Sequence, residues 1–276
     1  MRAKDGFPSF DEFLPFLDRF IHELVDEYKE GKIKSWDDLE ARVKTFFTPE
    51  MMEQTETLVP GWRKMASYSG GITRTHVMCV FLGMYMMPEF QALTPGQQQM
   101  AKWIVLFHDL DKFQIEGKRD TMHGFRSGIL AANTLPTFGF PVSGKYHEQI
   151  GAWSELTLHA FTARDEDDTP KPDNQKLPEI LTGIDQLFGE DAPASLITKT
   201  VLLHISLSVD PYYPTPAPLT EDEIKRFISP NLLPLLKVMM MGDNEGWSLF
   251  EPEIRNRQYN DTAASFQEFE KIIFQH

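Results

Sequence analysis

The sequence predicts an all-α protein. Helix-start signals recur along the chain, apolar residues return at intervals of three and four, and no segment sustains the strict alternation of a half-buried strand. Capping-box spacing links Ser9 to Glu12 and Thr220 to Glu223. "TPE" at 48, "TPG" at 94 and "SPN" at 229 each set a capping hydroxyl before a proline, whose missing N–H costs nothing at the first helical position. These mark at least five helix beginnings. Leu14, Leu17, Ile21, Leu24 and Tyr28 line one face of a helix near the N-terminus, and Met100, Ile104 and Phe107 line another. Breaks are expected at "SYSGGI" (67–72), "GKRD" (117–120), "ARDEDDTPKPDNQK" (163–176) and "VDPYYPTPAPLT" (209–220).

At 276 residues the chain can bury a substantial core, and we read it as one domain. Residues 1–60 form an N-terminal helical extension with no polar linker after it, and residues 61–276 carry the chemistry. No internal repeat is present. Hydrophobic residues at 41% and charged residues at 25% describe a globular chain without a membrane span. The N-terminus lacks the uncharged apolar stretch and small-residue cleavage pattern of a signal peptide, so the expected location is cytoplasmic.

A net charge of −14 opposes a nucleic-acid polymer, which would need a local basic groove that the sequence does not contain. The single cysteine, Cys79, excludes an internal disulfide or a thiolate cluster and suits an apolar core position. Any metal must therefore be held by imidazole and carboxylate, which favours Mn, Fe, Mg, Ni or Zn. "SGG" at 69–71 lacks the Lys-Ser/Thr of a phosphate loop, and "WSELTL" lacks the glycines of a nucleophile elbow.

Five histidines fall in or beside strongly apolar helical stretches: His76, His108, His123, His159 and His204. Asp109 follows His108 directly, and Asp243 follows "LLPLLKVMMMG", where a buried carboxylate is costly without a cation or several donors. A single histidine on an apolar helix is usually a core residue bonded to a carbonyl. Several helices each delivering one or two N/O ligands toward a common core is a different matter. Lys112 lies one turn beyond the pair, within reach of Asp109 or of an anion. Arg74 and Arg126 are weaker candidates for an anionic substrate, and Glu155, one turn before His159, is a candidate partner for that imidazole.

The order His76, His108-Asp109, Asp243 resembles the HD-domain superfamily of metal-dependent phosphohydrolases, and "HDLDK" is similar to its HD-x-x-K form. The likeness extends to "MHGFRSGILAANTL" and "LTLHAF" and covers about residues 60–250. It implies an HD-type helical domain binding one or two divalent ions through His76, His108, Asp109, His123, His159 and Asp243, with His204 a competitor for the second ion. It further implies catalytic roles for Asp109 and Lys112 and hydrolysis of a small phosphoester such as a nucleotide by a metal-activated water. An iron-dependent oxygenase of the same fold, or a sensing or scaffold protein with a relic site, are the alternatives. A homodimer is compatible with the acidic surface and the extension.

Overall fold

The structure, a computed structural model, describes residues 6–113, 120, 122–160, 163–164, 170–171, 174–206 and 219–274. It is all-α. In chain order the helices are α1 (Phe10–Phe13), α2 (Pro15–Lys29), α3 (Trp36–Phe46), α4 (Pro49–Leu58), α5 (Trp62–Ser67), α6 (Ile72–Met86), α7 (Pro88–Gln91) and α8 (Pro95–Phe107). They continue as α9 (His123–Thr134), α10 (Tyr146–Leu158), α11 (Leu177–Phe188), α12 (Pro193–Leu203), α13 (Glu221–Phe227), α14 (Leu233–Ser248) and α15 (Pro252–Phe274). A two-residue antiparallel pairing of Ala163–Arg164 with Pro170–Lys171 is the extended element among the described residues. None of the described helices is long and apolar enough to cross a membrane.

The start signals act as local chemistry dictates, with two exceptions. Thr48 caps α4, and Thr94 and Thr220 form full capping boxes with Gln97 and Glu223. Ser9 forms no box with Glu12: its hydroxyl donates to Asp11, and the helix it precedes lasts only one turn. Ser229 does not start a helix at Pro230. Its hydroxyl accepts from the Leu232 N–H in a turn, and α14 begins at Leu233. The expected break at 67–72 is a 3₁₀ turn over Tyr68–Gly71 leading into α6. The break at 117–120 lies outside the described residues except for Asp120, and that at 209–220 except for Leu219 and Thr220.

Helices α6, the second half of α8, and α12 are buried on every side, so they carry no polar face and form the centre of the protein. The residues before 60 share that centre. Phe10, Leu17, Ile21 and Leu24 are fully buried in the same apolar cluster as α6 and α8, each contributing about 1.5–3 kcal/mol of burial. Lys102 of α8 meets Asp18 of α2 at 2.8 Å, tying the two regions further.

Two close helix crossings bring the polar residues together. On α6 and α14, a Cβ at Gly246 would stand 2.5 Å from the Val80 Cγ2 and the His76 Cε1, and one at Gly242 would stand 3.3 Å from Val80. On α9 and α12, a Cβ at Gly124 would meet the Leu202 carbonyl oxygen at 3.0 Å, and one at Gly128 the Leu202 Cβ at 3.3 Å. At Gly246 a side chain has no room against His76 and Val80, and at Gly124 it would press on a main-chain oxygen; at Gly242 and Gly128 the fit is tight.

Candidate metal centre

The α6–α14 crossing places His76 Nε2 2.9 Å from Asp243 Oδ1, although 167 positions separate them in the chain. The α9–α12 crossing places His123 Nε2 3.1 Å from His204 Nε2. Between the two stands the end of α8, where the fully buried His108 and Asp109 leave the helix. Asp109 Oδ2 lies 3.5 Å from both His76 Nε2 and His108 Nε2, and its Oδ1 lies 3.1 Å from His123 Nε2. One carboxylate thus faces both pairs.

Six side chains converge as two triads that could hold a metal ion, His76–His108–Asp243 and Asp109–His123–His204. Within each, the ligand atoms lie within 4.8 Å of one another. Adjacent ligands on an ion bound at ordinary metal–nitrogen or metal–oxygen distances are about 3 Å apart, so these spacings suit a common ion.

Proton positions strengthen the fit. His108, His123 and His204 each donate Nδ1–H to a main-chain carbonyl, those of Val105, Asp120 and Val201, at 2.8, 2.6 and 2.6 Å. A carbonyl oxygen only accepts, so the proton sits on Nδ1 and the Nε2 lone pair points inward. His123 Nε2, His204 Nε2 and Asp109 Oδ1 then face each other as three acceptors. His108 Nε2 and Asp109 Oδ1 are buried with no hydrogen-bond partner. A divalent cation satisfies such a set at once, whereas a proton serves only two of its members.

Charge states agree with this. Burial alone would push Asp109 upward, but Lys112, His108 and His123 outweigh it and hold the carboxyl well below the usual range. Burial likewise opposes ionisation of Asp243, and the hydrogen bond from His76 with the nearby Lys112 and His108 reverses it. Burial depresses His108, and burial together with His123 and His108 lowers His204 to about 3. Ionised carboxylates and neutral imidazoles are the ligating forms. His108 and His204 also cap the C-termini of α8 and α12, whose dipoles favour a cation.

The cluster opens toward solvent at Asp243 and Lys112, each with a side chain 26% exposed, and at Trp247, 48% exposed. Lys112 Nζ lies 2.8 Å from Asp109 Oδ2 and 5.7 Å from the centre of the Trp247 ring.

Five of the six expected ligands meet here, and His159 does not. It ends α10 with its side chain 65% exposed, bonded at 2.8 Å to Glu155, itself a surface residue. The Glu155–His159 pair forms as expected, but away from the cluster. The sixth place belongs to His204. Arg126 is neutralised by Asp120 at 2.5 Å and Asp111 at 3.4 Å, and Arg74 places its guanidinium over the Phe47 ring and near the Met52 sulfur. Neither arginine is directed at the ligands. Trp247 and the glycines of the crossings fall outside the ligand pattern of the sequence, although "GDNEG" and "GFRSG" set two glycines four apart beside a candidate ligand in each case. Comparison of the chain with protein-family models, with curated proteins and with solved structures finds no match.

Proposed function

We propose that the chain is a metal-dependent phosphohydrolase of the HD type acting on a small phosphoester such as a nucleotide. The observation that supports it is the meeting of two His/His/carboxylate half-sites on Asp109, with Lys112 at their open side. His76, His108 and Asp243 would hold one ion and His123 and His204 the other, with Asp109 shared between them. Bound divalent ions lower the pKa of water and neutralise charge at a phosphoryl group. The chain's own residues supply binding and orientation. Lys112 neutralises Asp109 and, standing at the opening, can donate to a phosphate oxygen.

Four imidazoles suit Mn, Fe, Ni or Zn better than Mg, which prefers oxygen ligands and retains its waters. The same count of imidazoles favours a second reading, an iron-dependent oxygenase. A net charge of −14 favours a small substrate over a polymer.

The test is elemental analysis of protein purified without added metal or chelator, beside Asp109→Ala, followed by phosphate release from monoesters, cyclic diesters and nucleoside triphosphates with Mn²⁺ supplied. Transition metal lost in the variant, with turnover lost alongside, is the expected result. Full metal content and turnover in Asp109→Ala would refute the site. Iron with dioxygen uptake and no phosphate release would select the oxygenase.

A further inference from the structure

The four imidazoles of the cluster are not held alike. Three are fixed by Nδ1–H bonds to main-chain carbonyls, but His76 Nδ1 is buried with no hydrogen-bond partner. Its Nε2 contact with Asp243 alone does not fix the plane of the ring, because an imidazole can swivel about a single hydrogen bond. A ligand left so loose would have to be ordered whenever an ion bound.

Two residues following Asp243 on α14 close on that ring instead. The backbone of Gly246 lies against its edge: a Cβ there would stand 2.5 Å from Cε1 and 2.6 Å from Nδ1. The indole of Trp247 lies against its face, with ring centroids 4.1 Å apart and planes within 17°. Trp36, the first residue of α3, stacks in turn on Trp247 at 5.8 Å and 9°. Trp247 remains 48% exposed, so burial of its own surface does not account for a residue of this size here. What the indole does provide is a flat surface parallel to the imidazole.

We propose that Trp247 is a positioning residue for His76, taking the place of the absent Nδ1 hydrogen bond, and that Trp36 braces it from the N-terminal helices. The inference rests on reading the cluster as a metal centre. It follows that the half-site of His76, His108 and Asp243 depends on a flat aromatic side chain at 247, while the half-site of His123 and His204 does not. Residues before 60 thereby bear on metal occupancy without offering a ligand.

The test compares the wild-type full-length chain with Trp247→Phe, Trp247→Leu and His76→Ala by calorimetric titration with Mn²⁺. Changes to residues that orient a ligand typically weaken metal binding 10–100-fold. Trp247→Leu, which keeps an apolar side chain but no ring, should weaken one ion by about tenfold or more. That ion should be the one His76→Ala removes, and Trp247→Phe should restore most of its affinity. Equal affinities in the Leu and wild-type proteins, or both ions weakened together, would overturn the proposal. Imidazole ¹³C relaxation spectra of the metal-free proteins give an independent reading: the His76 ring should be rigid in the wild-type and Phe proteins and mobile in Trp247→Leu. A His76 ring as rigid in Trp247→Leu as in the wild type overturns the proposal as well. If the wild-type chain takes up no Mn²⁺ or other transition metal, it is the metal reading that fails, and the spectra alone then decide whether Trp247 orients His76.

Discussion

Two glycine-to-alanine changes, Gly83→Ala and Gly151→Ala, should move stability in opposite directions. Both residues lie inside helices, so intrinsic propensity favours alanine at each by about 0.8–1.0 kcal/mol. Around Gly151 on α10 an added Cβ meets nothing within 4 Å, and that gain should be realised. At Gly83 on α6 an added Cβ would come inside 3.0 Å of the Glu245 Cβ on α14 and 3.1 Å from its Cγ. Glu245 cannot swing away, because it is buried and Arg255 Nε holds its two carboxylate oxygens at 2.8 and 2.6 Å. Carbon atoms rest at about 3.5–4.0 Å, so α6 and α14 must part by more than about 0.5 Å. Overpacking of this kind costs about 1–3 kcal/mol, and a clash between atoms so close to two backbones belongs at the upper end. Subtracting the propensity gain leaves a net loss of about 2 kcal/mol. For a chain of this size that corresponds to a fall in Tm of roughly 4–8 °C, against a rise of about 2–4 °C for Gly151→Ala. The same displacement stretches the 2.9 Å contact of His76 with Asp243 to the edge of hydrogen-bonding range, so Gly83→Ala should also bind metal more weakly. Scanning calorimetry of the metal-free proteins and a Mn²⁺ titration measure both effects. A Gly83→Ala protein as stable as Gly151→Ala would show that α6 and α14 do not approach as closely as described, and the argument for the His76–Asp243 pairing would go with it.

Other substitutions test separate parts of the architecture. His204→Ala should deplete the second ion by more than the 10–100-fold typical of residues that only orient a ligand, whereas His159→Ala should leave metal content unchanged and stability within about 0.5 kcal/mol; elemental analysis decides, and the reverse pattern would return the ligand role to His159. Lys112→Gln should keep both ions but lower phosphoester turnover by about 10²–10³-fold, so an unchanged kcat would make the lysine a mere counter-charge to Asp109. Lys102→Met leaves Asp18 without its 2.8 Å partner at a largely buried contact between α2 and α8, which should cost about 3 kcal/mol in denaturant unfolding. A loss below about 1 kcal/mol would mean that the contact lies open to solvent, like an ordinary surface pair.

Much of this protein could be read from its chain, and what could not be read has physical causes. Threonine followed by proline gave true helix starts at 48 and 94 because both act within a single turn, where sequence and geometry coincide. Ser9 failed because its hydroxyl found a nearer partner, Asp11, a competition that spacing alone does not resolve. Ser229 makes the expected capping bond to the N–H three residues on, but a turn and not a helix follows it, and α14 begins at Leu233. The choice of His159 over His204 had a usable signal that pointed the other way. Glu155 lies four residues before His159 and therefore shares its helix face, and a glutamate marks a face turned to water. His204 ends a helix whose residues from Ala194 to Leu203 are all buried, so its imidazole has only the interior to enter.

The accuracy of the cluster is set less by the ligands than by the glycines beside them. His76 and Asp243, like His123 and His204, are brought together across helices whose axes must lie closer than side chains normally permit. Gly242 and Gly246 flank Asp243 on one side of α14, and Gly124 and Gly128 follow His123 along α9, each pair one turn apart and so on one face. A helix gains nothing locally from such residues, since each weakens it by about 1 kcal/mol relative to alanine. Their cost is offset only where another backbone comes to rest on that face, which makes paired glycines next to a candidate ligand a statement about tertiary contact. In this chain the statement specifies which helices cross, and the crossing partners carry two further candidate ligands, His76 and His204.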